Sequence, residues 1–263
     1  MQARTSHIAA SLMQMPTQSE SEHVYFILPI YNEEKGLPPL LETLATVPLP
    51  NGRTIVAVND GSKDRSGEIL DEGLKRYPIK LITHSPNRGI PGVYKSAFEY
   101  VLTVVQDDDV VILMESDGTS DPSLIPSLVK AIEAGNDIAI GSRHVPGGAY
   151  LAFPWYRKMA SSLVNVCLAM TWRLPGIKDY TIFYRAYRGS ILKKGFANGV
   201  AFKAVKSFAA NGEILLILAP HHPKVAELPL RYNYGLKGSV SSMPLMATLM
   251  EYVRLASQYP RNN

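Results

Sequence analysis

Between residues 24 and 141, short apolar runs alternate with stretches of helical spacing, and this alternation narrows the possible folds more than any other feature. Strands are predicted at 24–30, 54–58, 79–83, 110–114 and 138–141. Between them, helices are predicted at 33–46 (with Asn32 as its cap), 64–76, 93–105 and 124–134. A βα unit repeated in this way gives a mostly parallel, doubly wound α/β sheet with helices on both faces. Beyond residue 141 the pattern changes. A long apolar helix is predicted over 154–173, strands over 181–187 and 224–230, and a helix over 243–258 in which Leu245, Leu249 and Val253 recur at helical spacing. That stripe reads as core, with docking onto a membrane surface as the other use of such a face.

In a parallel sheet the carboxyl ends of the strands present the ligand site. The run 110–114 ends in Glu115-Ser116-Asp117. Two carboxylates at i and i+2 on a strand tip suit a divalent cation, which in turn holds a diphosphate. The first strand ends in Pro29-Ile30-Tyr31-Asn32-Glu33, a ring and a carboxylate able to meet a base or a ribose. The same residues also suit a plain corner with Asn32 capping the helix. The second strand ends in Val58-Asn59-Asp60-Gly61-Ser62, where Asp60 can accept a hydrogen bond from a nucleobase; an Asp-Gly turn capped by Ser62 or Asp64 fits equally. A glycine-containing loop, 87–92, follows the third strand.

Composition removes several alternatives. At 263 residues with no dividing linker, one α/β domain with a C-terminal extension is expected. The net charge of +4 without a Lys/Arg block suits anionic ligands and argues against a nucleic-acid protein. The single Cys167 leaves no internal disulfide and reads as a small core residue. Residues 1–22 lack the pattern of a signal peptide and read as a loose extension, so a cytoplasmic location is expected. No apolar run reaches the roughly 18 residues of a spanning helix.

Over about residues 24–240 the chain resembles the family-2 glycosyltransferases, and among them the dolichol-phosphate mannosyltransferase type. Pro29, Tyr31 and Glu33 match the family's nucleotide motif, Val58 and Asp60 its Asp-Asp-Gly-Ser segment, and Glu115, Ser116 and Asp117 its Asp-x-Asp motif. Gly141-Ser142-Arg143 matches a segment after the fifth strand; Arg157, Lys158, Ser161 and Asn165 keep the spacing of the acceptor-phosphate helix. Asp179, Thr181, Arg185, Tyr187 and Arg188 keep a further spacing, and Glu213 and 226–229 also have counterparts.

The resemblance implies the A-type glycosyltransferase fold, with an extension at 1–22, the transferase domain at 23–240 and an amphipathic helix and tail at 241–263. It implies a nucleotide-sugar donor of the GDP-mannose or UDP-glucose type, Mg²⁺ or Mn²⁺ on Glu115 and Asp117, and a polyprenyl or dolichyl phosphate acceptor. Transfer would invert the anomeric carbon, with Asp117, Arg143, Arg157 and Ser161 at the reaction centre and Lys237 on the donor. The setting would be the cytoplasmic face of a membrane, with the membrane surface or a small membrane-anchor subunit as partner. Two other functions fit the chain: transfer to a hydroxyl, with Asp179 or Glu213 as base, and a nucleotide-sugar-binding subunit without turnover. Departures from the family are Glu115 for its first Asp, Asn59 for another, an extra residue in 90–92, and the segment 235–240, which lacks the closing arginine and lysine. There Lys237 offers a point charge without the bidentate geometry of arginine. Arg185 is expected to pair with Asp179 if it takes no part in binding.

Overall fold

The computed structural model describes residues 23–49, 52–205, 208–237 and 245–259. The extension at 1–22 and the positions 238–240 of the closing segment lie outside the described residues.

Strands β1 (His23–Ile30), β2 (Gly52–Asn59), β3 (Ile79–Thr83), β4 (Val110–Leu113) and β5 (Ile138–Ser142) follow the predicted series. Helices α1 (Leu37–Thr46), α2 (Ser66–Gly73), α3 (Gly89–Val104) and α4 (Ile125–Glu133) connect them. Sandwiched strands read as unbroken apolar runs because both faces are covered. Val110, Val111, Ile112 and Leu113 are all fully buried. The later elements are β6 (Ala149–Leu151), α5 (Trp155–Trp172), β7 (Arg185–Arg188), α6 (Gly189–Gly195), α7 (Ala210–Leu218), β8 (Val225–Pro229), β9 (Arg231–Asn233) and α8 (Leu245–Gln258).

The main sheet has the order β3-β2-β1-β4-β7-β5-β8. Only β7 runs antiparallel, pairing Leu113 with Arg185 on one side and Ile140 with Arg185 on the other. The sequence steps outward from β1 through β2 to β3, then returns to the other side of β1 with β4. That reversal opens a crevice at the carboxyl ends of β1 and β4, the usual seat of a ligand in such sheets. A small second sheet pairs β6 with β9 beside it.

Four expectations are corrected. Asn32 does not cap α1: it takes φ 58°, its side chain accepts from the Lys63 amide at 2.8 Å, and the helix begins at Leu37 with a proline in its first turn. Residues 181–184 do not join a strand. The buried Asp179 carboxylate gathers the amides of Thr181 (3.3 Å) and Ile182 (3.2 Å) into a turn, which delays β7 to Arg185. Cys167 is exposed on the outer side of α5. On α8, Leu249 packs against the core as expected, beside the more deeply buried Thr248, Tyr252 and Leu255, while Val253 is 63% exposed; the side chain of Leu245 lies outside the described residues.

Candidate active site

A cavity of about 310 Å³ opens where β1, β2 and β4 end, and it runs on between α5 and α8. Pro29, Tyr31, Glu33, Asp60, Glu115, Ser116, Asp117, Arg143, Arg157, Ser161 and Lys237 all line it. Val58 does not: its side chain is fully buried inside β2, where a strand needs an apolar residue.

The floor is tied together by its own polar groups. Ser116 donates to the Pro29 carbonyl at 2.9 Å, joining the tips of β1 and β4. Gly36 is required here, since a Cβ at that position would meet the Ser116 carbonyl at 2.8 Å. Asp60 is heavily used by the fold: it accepts from the amides of Arg88 (2.9 Å) and Gly89 (2.8 Å), and His84 Nδ1 lies 2.7 Å away. Asp60 therefore holds the loop after β3 in place while still lining the cavity.

Glu115 and Asp117 face the cavity together. Glu115 accepts from the Ser120 hydroxyl, and Asp117 accepts through Oδ1 from the amide and hydroxyl of Thr119. Burial first, and the neighbouring Asp117 charge second, push the Glu115 carboxyl up to about 7. Two carboxylates that resist joint ionisation are a site that a cation would relieve. Among the described residues no cluster of three or more acidic, His or Cys side chains forms a complete cage. Two protein carboxylates, with the remaining positions left to a substrate diphosphate and water, fit Mg²⁺ or Mn²⁺. The ammonium of Lys237 meets Asp117 Oδ2.

On the other wall, Arg143 is committed to the fold. Its Nε and Nη2 donate to Asp179 at 2.8 and 2.7 Å, and Nη2 also reaches Thr181 Oγ1 at 2.7 Å. Tyr150 and Tyr232 flank the guanidinium with centroids at 4.7 and 5.6 Å. Burial alone would raise the Asp179 carboxyl, but the Arg143 charge and hydrogen bonds outweigh it and bring the group down to about 2. Arg143, and not Arg185, is thus the partner of that carboxylate. Arg185 donates through Nη1 to the Asn211 carbonyl and through Nη2 to the Tyr180 carbonyl.

Ser161 sits 3.2 Å from Thr181 Oγ1 and 3.1 Å from the Tyr150 hydroxyl. Arg157, one turn earlier on α5, lies over the Tyr234 ring at 6.0 Å. Asn165 donates to Thr181 Oγ1 at 3.2 Å and to His144 Nε2 at 3.1 Å. Burial first lowers the His144 pKa, so the ring favours the neutral form that can accept this bond. Sequence reasoning assigned no role to Thr181, Tyr150, His144 or Tyr232. Only the spacing Asp179-x-Thr181 hinted at the first.

This fold and site define an A-type glycosyltransferase, and residues 25–196 match Glycosyl transferase family 2, to which the chain belongs. It is similar to a dolichol-phosphate mannosyltransferase of Pyrococcus furiosus, with 30% identity over 88% of this chain and 62% of that protein. It is also similar to a polyprenol monophosphomannose synthase of Mycolicibacterium smegmatis, with 32% identity over 68% and 66% of the two chains. The chain thus spans a little under two thirds of these relatives' lengths. Among solved structures, glucosyl-3-phosphoglycerate synthase of Mycobacterium tuberculosis, in complex with Mn²⁺ and UDP-glucose, superposes with a TM-score of 0.64 at 13% identity. That match covers 92% of this chain and 80% of the other.

Proposed function

We propose that this protein moves a sugar from a nucleotide-sugar to the phosphate of a polyprenyl phosphate, inverting the anomeric carbon in one displacement. The observation that supports this reading is the state of Asp179 and Glu213, the two carboxylates the sequence offers as base for a hydroxyl acceptor. Asp179 is fully buried and locked to Arg143. Glu213 is fully buried and accepts from the Lys203 and Ala204 amides and the Tyr259 hydroxyl. Neither lines the cavity. A phosphate acceptor is already an anion near neutrality and needs no base.

Arg157 and Ser161 share one helix face toward the cavity, where they can hold the acceptor phosphate in line with the donor. The Arg143–Asp179 pair braces Thr181, and Thr181 in turn stands beside Ser161. Tyr31, Glu33 and Asp60 receive the nucleoside. Glu115 and Asp117 would hold Mg²⁺ or Mn²⁺, whose chemistry is to neutralise the departing diphosphate. The names of the relatives favour a mannosyl donor such as GDP-mannose over a UDP-glucose type.

Peripheral attachment to a membrane, at its cytoplasmic face or through a small membrane-anchor subunit, follows from such an acceptor. No described helix is long and apolar enough to cross a membrane. However, α5 exposes Trp155, Tyr156, Met159, Leu163, Val166 and Met170 along one side, and Leu163 also lines the cavity. An apolar face with aromatic residues at one end suits the headgroup boundary of a bilayer.

The test is product analysis after incubation with nucleotide-sugar, Mn²⁺ and polyprenyl phosphate. A sugar phosphodiester labile to mild acid is expected. An acid-stable glycoside, lost on Glu213→Gln, would overturn the reading in favour of a hydroxyl acceptor.

A further inference from the structure

The segment after β9 approaches the metal carboxylates from across the chain. It is a single 3₁₀ turn, Tyr234–Leu236, with the Asn233 side chain accepting from the Gly235 amide at 3.1 Å. Its backbone runs close to the strand tip: Gly118 has φ +85°, and a Cβ there would stand 3.2 Å from the Leu236 carbonyl. Lys237, at the end of the turn, places its ammonium against Asp117 Oδ2. Since Oδ1 already serves Thr119, both oxygens of Asp117 are engaged.

An ammonium and a divalent cation on the same carboxylate oxygen repel at contact, so each weakens the other's hold on it. The bond that Lys237 makes is therefore one with which a cation competes. Lysine suits such an exchange. It is a compact point charge on a flexible stem, whereas an arginine would grip the carboxylate through two parallel bonds. The side chain of Lys237 is 16% exposed and lines the same cavity, so it has room to turn toward a bound ligand.

We propose that Lys237 is a resident counter-ion for Asp117. It neutralises that carboxylate until a divalent cation arrives, and then passes its ammonium to the diphosphate of the donor. The proposal rests on the metal-dependent donor site described above. The energetic consequence is coupling. A metal arriving alone strands the ammonium, whereas a metal arriving with a diphosphate offers it a new anion. Each ligand therefore strengthens the other, by an equal factor in both directions.

Titration calorimetry with Mn²⁺ alone, on the wild-type chain and on Lys237→Met, tests the exchange. Losing a charged partner of this kind should tighten Mn²⁺ binding roughly tenfold in the variant. With GDP or UDP present, the same variant should bind the nucleotide more weakly than wild type. A second measurement needs no variant: the rate at which an acylating reagent modifies the Lys237 amine, followed by peptide mass spectrometry. Mn²⁺ should raise that rate, and addition of GDP or UDP should lower it again. Mn²⁺ binding that is equal or weaker in a Lys237→Met protein of unchanged melting temperature overturns the exchange and leaves the donor site standing, as does acylation indifferent to Mn²⁺. Absence of Mn²⁺ binding in both proteins overturns the exchange and the metal site together.

Discussion

Asp179 and Asp117 each meet a basic side chain beside the same cavity, yet the two pairs are built for opposite purposes. At Asp179 the partner is arginine, the contact is bidentate, and the two side chains are 6% and 0% exposed. At Asp117 the partner is lysine, the contact is single, and the pair borders the open cavity. The first pair holds β5 and the turn before β7 in register. The second, under the exchange proposed above, is dismantled when a cation and a diphosphate offer each member another partner. An ion pair is thus architecture or machinery according to its geometry and solvent access, and charge alone does not distinguish the two.

Substitution at the two aspartates should separate these roles most sharply. Asp117→Ala should lower transfer by about 10³-fold or more, the scale of lost metal stabilisation, while changing the unfolding free energy from urea denaturation by no more than about 1 kcal/mol. Asp179→Ala should do the converse. It strands a buried guanidinium and should cost about 3–5 kcal/mol of stability by denaturation. If both variants lose stability equally, the contrast fails.

Smaller effects sharpen the same division on the acceptor wall. Arg157→Ala and Ser161→Ala should each raise KM for the lipid phosphate about tenfold, the worth of one charged hydrogen bond, with KM for the nucleotide-sugar almost unchanged. Parallel changes in both constants would mean that the residues only support α5.

The gentlest probe is pH. Because the Glu115 carboxyl is raised to about 7 in the metal-free fold, its ionised form is the disfavoured one. Metal-free stability should therefore decline as pH rises from the ordinary carboxylate range through about 7. Binding of Mn²⁺ releases that proton, so affinity should rise up to about tenfold per pH unit below neutrality and flatten above it. Glu115→Gln should remove the slope, as calorimetry across a pH series would reveal.

Much of the α/β half was legible in the sequence, because strands buried on both faces must be continuously apolar, and their tips then fall on one edge. That route led to Glu115, Asp117, Tyr31 and Glu33, all of which line the cavity. The later half was harder to read. β6 and β9 are three residues each and pair across a long stretch of chain, which leaves no local period. Arg143 reads as an anion binder in sequence, and nothing local reveals its pairing with Asp179, 36 residues further on. The same long-range pairing hid the Lys237–Asp117 contact, which spans 120 residues. Val58 differs from its motif neighbour in position: its side chain is buried within β2, whereas Asp60 lies past the strand's end and lines the cavity.

The exposed sulfur of Cys167 is the only thiol in the chain, and it sits among the apolar residues on the outer side of α5. This chain therefore carries a unique attachment point for a spin label or an environment-sensitive dye. A probe there sits less than two helical turns from Ser161, so its signal tests whether that helix meets lipid vesicles. The same residue that gave no clue to function becomes a ruler for measuring it.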